Sequence, residues 1–317
     1  MNSNTNTEGS YSVQNILVLG GLGFVGRHLC RHLSHEGITV YSLGHGTLPE
    51  QEIKDWGISH WVNSSITFDA LSEAFKNIHF SAVVHCAGSG AVSLAYQQPL
   101  EDYHRSVTSV LAGLEFVRSM QTKNTRFVLA SSAAVYGNHN SVLTELSKLN
   151  PISPYGLHKL AAENICAEYN SYFNVNCSIV RLFSVYGAGL QKQLLWDATN
   201  KFKNGICEFF GTGKEMRDWI HVEDAVQILS GAAKAPQKTF EIYNGCNHHA
   251  STEEVLTLLA KSLKIKLTPQ FNNEVHTGNP VSLVGSNEKA SCLLKWTPKI
   301  SLQDGLFDYA RWIKNKI

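Results

Sequence analysis

A chain of 317 residues with 43% apolar content has the material for a full hydrophobic core, and its length fits one large domain or two small ones. Its 27 Lys and Arg balance 26 Asp and Glu, so there is no overall basic field to hold nucleic acid or an anionic membrane, and any phosphate is bound by local groups. Seven cysteines, at 30, 86, 166, 177, 207, 246 and 292, form no Cys-x-x-Cys pair and no zinc-type spacing with histidine. They read as reduced thiols of a cytoplasmic protein with no metal site.

The stretch 1–10 is polar, carries no Lys or Arg and leads into no long apolar run. It reads as part of a loose tail, 1–12, and not as a signal peptide or membrane anchor. Apolar runs then alternate with helical patterns: 16–19, a helix-like 24–33, 39–43, a helix-like 69–77, and 81–85. Short, continuous, branched runs separated by helices are what a parallel sheet covered on both faces requires. The rhythm continues with a helix over 99–120, a strand at 126–130, a helix over 154–173 and a strand at 176–182. Beyond 183, interspersed Gly, Asn, Lys and Trp suggest a smaller, loop-rich part. The predicted class is α/β: a Rossmann-like doubly wound parallel sheet from 13–182 and 216–245, with a smaller C-terminal substrate-binding domain from 183–215 and 246–317.

Between the first strand and the first helix, Gly20, Gly23 and Gly26 stand in the run GGLGFVG, with Phe24 and Val25 opening the helix. Glycines there let the backbone turn tightly and approach a pyrophosphate, whose charge is met by free N–H groups of the helix N-terminus. These five residues are candidate cofactor contacts. In dinucleotide sites a carboxylate about 20 residues further on accepts from the adenosine ribose. Here that place reads Leu43-Gly44-His45, with no acid. Gly44 and His45 would tolerate a 2′-phosphate, so NADP is at least as compatible as NAD.

Two further segments carry chemistry. After the strand at 126–130 comes Ser131-Ser132, and at a helix start comes Ser153-Pro154-Tyr155-Gly156-Leu157-His158-Lys159. Pro154 suits the first helical turn, and a four-residue separation puts Tyr155 and Lys159 on one face. A phenol is a poor acid or base at neutral pH, whereas a nearby ammonium favours its phenolate. A hydroxyl such as Ser132 then holds the reacting oxygen where proton and hydride transfer coincide. Ser132, Tyr155 and Lys159 are the candidate catalytic set.

These residues, together with VVHCAG at 83–88, RLFSVYG at 181–187 and FFGTGKEMRDWIHVEDA at 209–225, resemble the extended short-chain dehydrogenase/reductase family, within it the nucleotide-sugar epimerases, dehydratases and reductases. The resemblance covers most of the chain. It implies that Ala87 and Gly88 line the cofactor, that Tyr155 is the acid/base, and that Lys159 also binds the nicotinamide ribose. Arg217 falls at the family's diphosphate-binding arginine, and a planar guanidinium suits that bidentate contact. Ser132, Ser184, Lys192, Phe209 and Arg217 are the candidate substrate residues. A homodimer built from the helices over 99–120 and 154–173 is also implied.

The departures narrow the reaction. In the dehydratase branch adjacent acids follow the catalytic hydroxyl, whereas here Ala133 and Ala134 stand there, and alanine transfers no proton. The family's usual Asn residues are replaced by Ser106 and Ser184. With no ribose-binding acid to retain NAD, the sequence favours a reductase using NADPH or NADH on the C4 ketone of a nucleotide-linked 4-keto-6-deoxy-hexose. By analogy with O-antigen enzymes the nucleotide would be dTDP. The alternative is a C4 epimerase that keeps its NAD, and the rival from another class is a catalytically idle scaffold.

Overall fold

The computed structural model describes residues 14–90, 92–120, 124–236, 240–274 and 280–316; the expected tail, 1–12, lies outside them. The apolar runs form parallel strands, and in the central ones every residue but a terminal one is buried. These are β1 (Asn15–Leu19), β2 (Thr39–Gly44), β3 (His60–Asn63), β4 (Ala82–His85), β5 (Arg126–Ser132) and β6 (Asn176–Leu182). With Glu241–Gly245 beyond β6 they make one seven-stranded, all-parallel sheet in the order β3-β2-β1-β4-β5-β6. The order reverses between β1 and β4, so the C-terminal ends of those two strands border a crevice where such sheets bind ligands.

The helices are α1 (Phe24–His35), α2 (Glu50–Asp55), α3 (Phe68–Phe75), α4 (Val92–Gln97), α5 (Pro99–Tyr103), α6 (Ser109–Ser119), α7 (Pro154–Phe173), α8 (Gln193–Lys203), α9 (Val222–Lys234), α10 (Thr252–Leu263), α11 (Glu288–Leu294) and α12 (Leu302–Lys316). One face of the large sheet packs against α1 and α9, the other against α3, α6 and α7. α7 starts where its sequence says: the Ser153 hydroxyl accepts from the Gly156 amide at 3.1 Å, and Pro154 takes the first helical position. The helix expected over 99–120 is instead interrupted by a five-residue π turn, His104–Thr108, between α5 and α6. There the Ser109 hydroxyl donates to the Arg105 carbonyl at 2.7 Å, supporting the widened turn.

The remainder is more helical than expected. Lys192, Asn204 and Asn287 stand at helix ends, with Lys264 and Lys295 in left-handed caps, while Leu195, Phe202, Leu256, Leu259, Leu306 and Tyr309 fill a third core. A small sheet centres on Met216–His221, flanked by His248–Ser251 on one edge and by Ser184–Tyr186 and Ser282–Leu283 on the other. Among the described residues no helix is long and apolar enough to cross a membrane.

Candidate active site

The glycine turn lies at the reversal point. Gly20 has φ +85°, and its amide donates to Leu43 O at 2.8 Å, which ties β1 to β2 at their C-terminal ends. A Cβ on Gly26 would fall 2.2 Å from the Gly20 carbonyl oxygen, so only glycine lets the first turn of α1 close on the loop. One residue the sequence reading missed completes this turn. Ser42, wholly buried in β2, donates to Val18 O at 2.7 Å and accepts from the Gly21 amide at 3.1 Å. A serine in the buried C-terminal half of the strand was the available signal, because buried hydroxyls find partners.

The other candidate cofactor residues surround this turn. Phe24 and Val25 turn their side chains into the core, leaving their backbone at the helix start. Gly44 is buried beside Gly20 and His45 is exposed. Ala87 and Gly88 follow β4; a Cβ on Gly20 would lie 2.8 Å from the Ala87 Cα, a cradle that only a bare backbone fits. The turn and its neighbours thus suit a pyrophosphate held by backbone amides.

Across the crevice stand the three catalytic candidates. Ser132 ends β5, and its hydroxyl accepts from the Ala134 amide at 3.2 Å. The first turn of α7 rests on that same loop, for a Cβ on Gly156 would meet Ala134 O at 2.6 Å. This contact brings Tyr155 beside the Ser132 turn. Lys159 is buried, donates to Ala130 O at 3.1 Å, and holds its ammonium 5.9 Å from the Tyr155 ring centre. Both the Lys159 ammonium and the buried Ser106 hydroxyl lie 3.4 Å from where a Gly88 Cβ would stand. Ser106, on the π turn, has no hydrogen-bond partner among the described residues.

The substrate candidates divide. Lys192 is exposed and sits over Gly90, whose carbonyl accepts from the Gln193 side chain, so the start of α8 reaches the rim of the crevice. From Gln193 onward the segment is a packed helix. Ser184 and Arg217 lie on paired strands of the small sheet. Burial, only partly offset by Glu215, holds the Arg217 guanidinium below its ordinary pKa. Asp218, pointing to the opposite face, is occupied by the amides of Asn247 and Gly285 and by His249. Phe209 is a correction: its ring is 6% exposed and packs between Phe202 and Phe271 in the third core, so any substrate contact it makes is through its backbone.

A profile of the NAD-dependent epimerase/dehydratase family matches residues 16–245, which spans the glycine turn, Ser132, Tyr155 and Lys159. The chain belongs to that family. Its epimerase/dehydratase relatives include an uncharacterised UDP-glucose epimerase, YtcB, of Bacillus subtilis (strain 168), 28% identical over 92% of this chain and 95% of that protein. The UDP-glucose 4-epimerase of Lactobacillus helveticus is 29% identical over 95% and 97% of the two chains. Among solved structures, MoeE5 in complex with UDP-glucuronic acid and NAD superposes with TM-score 0.85 at 25% identity, over 96% of this chain and 100% of that one. A mutant UDP-glucuronic acid 4-epimerase from Bacillus cereus, in complex with UDP-4-deoxy-4-fluoro-glucuronic acid and NAD, gives 0.86 at 25% identity over the same shares.

His85, whose Nε2 pairs with the Ser109 hydroxyl, lies within reach of the Lys159 charge. Burial first, and the Lys159 charge second, push its imidazole from 6.5 down to about 3. The unfolded chain therefore binds the proton that the folded one refuses, so this stability is complete above pH 6.5 and is lost as pH falls toward 3. His85→Asn is expected to flatten that loss, read as the urea midpoint against pH; equal slopes for both proteins would contradict it.

Proposed function

We propose that this protein is an NAD-dependent nucleotide-sugar 4-epimerase, acting on a UDP-linked hexose or hexuronic acid. The observation that carries the reading is the composition of the crevice. One phenol, Tyr155, stands beside Ser132 and Lys159, while Ala133 and Ala134 occupy the next two positions and supply no second proton-transfer group. Such a site removes and returns one proton at one sugar oxygen, which inversion at C4 requires and dehydration exceeds. The reductase expectation gives way for want of support: relatives matching nearly the whole chain include UDP-glucuronate and UDP-glucose 4-epimerases, and a UDP-glucuronic acid 4-epimerase among the solved neighbours is in complex with NAD. Neither an NADP preference nor a dTDP sugar finds support there, so we take NAD as the cofactor.

The Ser132 hydroxyl would hold the C4 oxygen, and Tyr155 would take its proton as that carbon is oxidised. Bound nicotinamide supplies the acceptor, and then the donor, of the hydride. The buried Lys159 ammonium would stabilise the phenolate that takes this proton and that re-forms when Tyr155 gives the proton back on the inverted sugar. Gly20, Gly23 and Gly26 would cradle the pyrophosphate, Gly44 and His45 would border the adenosine ribose without a carboxylate, and Ala87 and Gly88 would line the nicotinamide end. Lys192, from the part of the chain formed by 183–215 and 246–317, and Arg217, on the central strand of the small sheet, would hold the sugar diphosphate. Leu100, Tyr103 and Leu111, exposed within 99–120, and Leu157 and Tyr172, exposed within 154–173, support a homodimer through those two stretches.

The test is a panel of UDP-glucose, UDP-galactose and UDP-glucuronic acid without added cofactor, beside 4-keto-6-deoxy sugars with NADH or NADPH. Interconversion of a plain nucleotide sugar at constant nicotinamide absorbance is the expected result. Oxidation of many equivalents of cofactor by the keto sugars would establish the reductase instead.

A further inference from the structure

The loop after β4 reads Gly88-Ser89-Gly90, and it lies between Lys159 on one side and Lys192 and Gln193 on the other. Ser89 is the only one of the three with a side chain. Ser89 is 6% exposed, and its hydroxyl donates to Oδ1 of Asp102 on α5. The second carboxylate oxygen, Oδ2, accepts from His158 Nδ1 at 2.5 Å, and His158 adjoins Lys159 on α7. The edge of the Tyr103 ring, 5.4 Å away, packs on the His158 imidazole. Asp102 itself has no exposed surface. A carboxylate buried that completely is tolerable only with its oxygens satisfied, so Ser89 and His158 are held to it as firmly as it is held to them. One carboxylate thereby joins three elements that carry no common sequence motif: the glycine-flanked loop, α5, and the helix of Tyr155 and Lys159.

We propose that Asp102 is a positioning residue that clamps the 88–90 loop against α7 and so sets how long the nicotinamide cofactor is retained. This rests on the cofactor placement given under the proposed function. Two further observations give it weight. The end of β2 offers no carboxylate at Gly44 or His45, so the adenosine end lacks one usual anchor and retention falls more heavily on contacts elsewhere. The loop also has few internal means of holding its shape, because Gly88, at φ +126°, and Gly90 contribute backbone alone. Through Ser89 the clamp acts on the same backbone that borders the Lys159 ammonium, and through Gly90 O it reaches the start of α8. An epimerase must keep its cofactor from one half-reaction to the next, and a loop pinned to the catalytic helix serves that need.

The experiment measures NAD release from the loaded protein into a scavenging dehydrogenase, well below the unfolding temperature, with no nucleotide sugar present. Ser89→Ala is expected to release NAD about tenfold faster than the parent, the loss of one hydrogen bond to a carboxylate, and Ser89→Thr, which keeps the hydroxyl, within about twofold. Asp102→Ala, which frees both the loop and His158, is expected to release at least as fast as Ser89→Ala and serves as the second variant. A role confined to stability would lower the melting temperature of these variants and leave release below it unchanged. Parental release rates from a folded Ser89→Ala or Asp102→Ala protein would overturn the proposal. Because release is read without turnover, that outcome leaves the epimerase reading standing, and a failure of epimerisation leaves the release ratios interpretable.

Discussion

Tyr155→Phe is expected to slow nucleotide-sugar interconversion by about 10²–10⁴-fold while NAD affinity stays within a few fold of the parent. The phenol is the group placed to carry the proton, and phenylalanine keeps the ring while deleting the oxygen. The half-buried ring stands at the first turn of α7, which Pro154 and the Ser153 cap fix independently of the hydroxyl. The helix, and with it Lys159, should therefore keep its place. Steady-state rates with each nucleotide sugar, beside NAD binding followed by calorimetry, separate the two effects. Unchanged turnover would remove Tyr155 from the mechanism; an equal loss of rate and NAD affinity would make its role structural.

The second large effect is expected at the glycine turn. Gly26→Ala places a methyl group 2.2 Å from the Gly20 carbonyl oxygen and 2.9 Å from its carbon, both backbone atoms that no rotamer change relieves. Either α1 or the turn must shift, and displacement of a positioned group by about 1 Å is worth on the order of 10² in rate or affinity. NAD binding is expected to weaken by about that factor. Gly231→Ala is the control, since on α9 the nearest atoms to its new methyl are the Leu294 side chain at 3.7 Å, ordinary contact. That variant should bind NAD normally and be no less stable than the parent, alanine being the better helix former. Equal NAD affinity for Gly26→Ala and the parent would show that the turn does not hold the pyrophosphate.

The reach of the sequence differs element by element, for physical reasons. β1, β4, β5 and β6 are legible because strands covered on both faces carry runs of consecutive apolar residues. β3, with the exposed ends His60 and Asn63, sits at the edge of the sheet and has no such signature. Tyr155 and Lys159 are legible because one helix sets their spacing. Asp102 and His158 are not, since they meet across two helices and neither carries a local pattern. Phe209 illustrates the opposite error: a motif aromatic reads as a ligand contact in one dimension, whereas in three its ring belongs to the core. The missing acid near Gly44 points in one dimension to an exchangeable cofactor. It bears on one contact to the adenosine ribose, and the rest of the crevice lies tens of residues away in sequence.

The central claim is that hydride leaves C4 of a nucleotide sugar and returns to the same carbon. The most direct test is to supply UDP-glucose deuterated at C4 together with excess unlabelled NADH and to follow the label by mass spectrometry and NMR. The account predicts UDP-galactose with deuterium still at C4 and no net change in nicotinamide absorbance. Interconversion with deuterium lost to the soluble cofactor pool, or no interconversion here and steady NADH oxidation when a 4-keto-6-deoxy sugar replaces UDP-glucose, would contradict it.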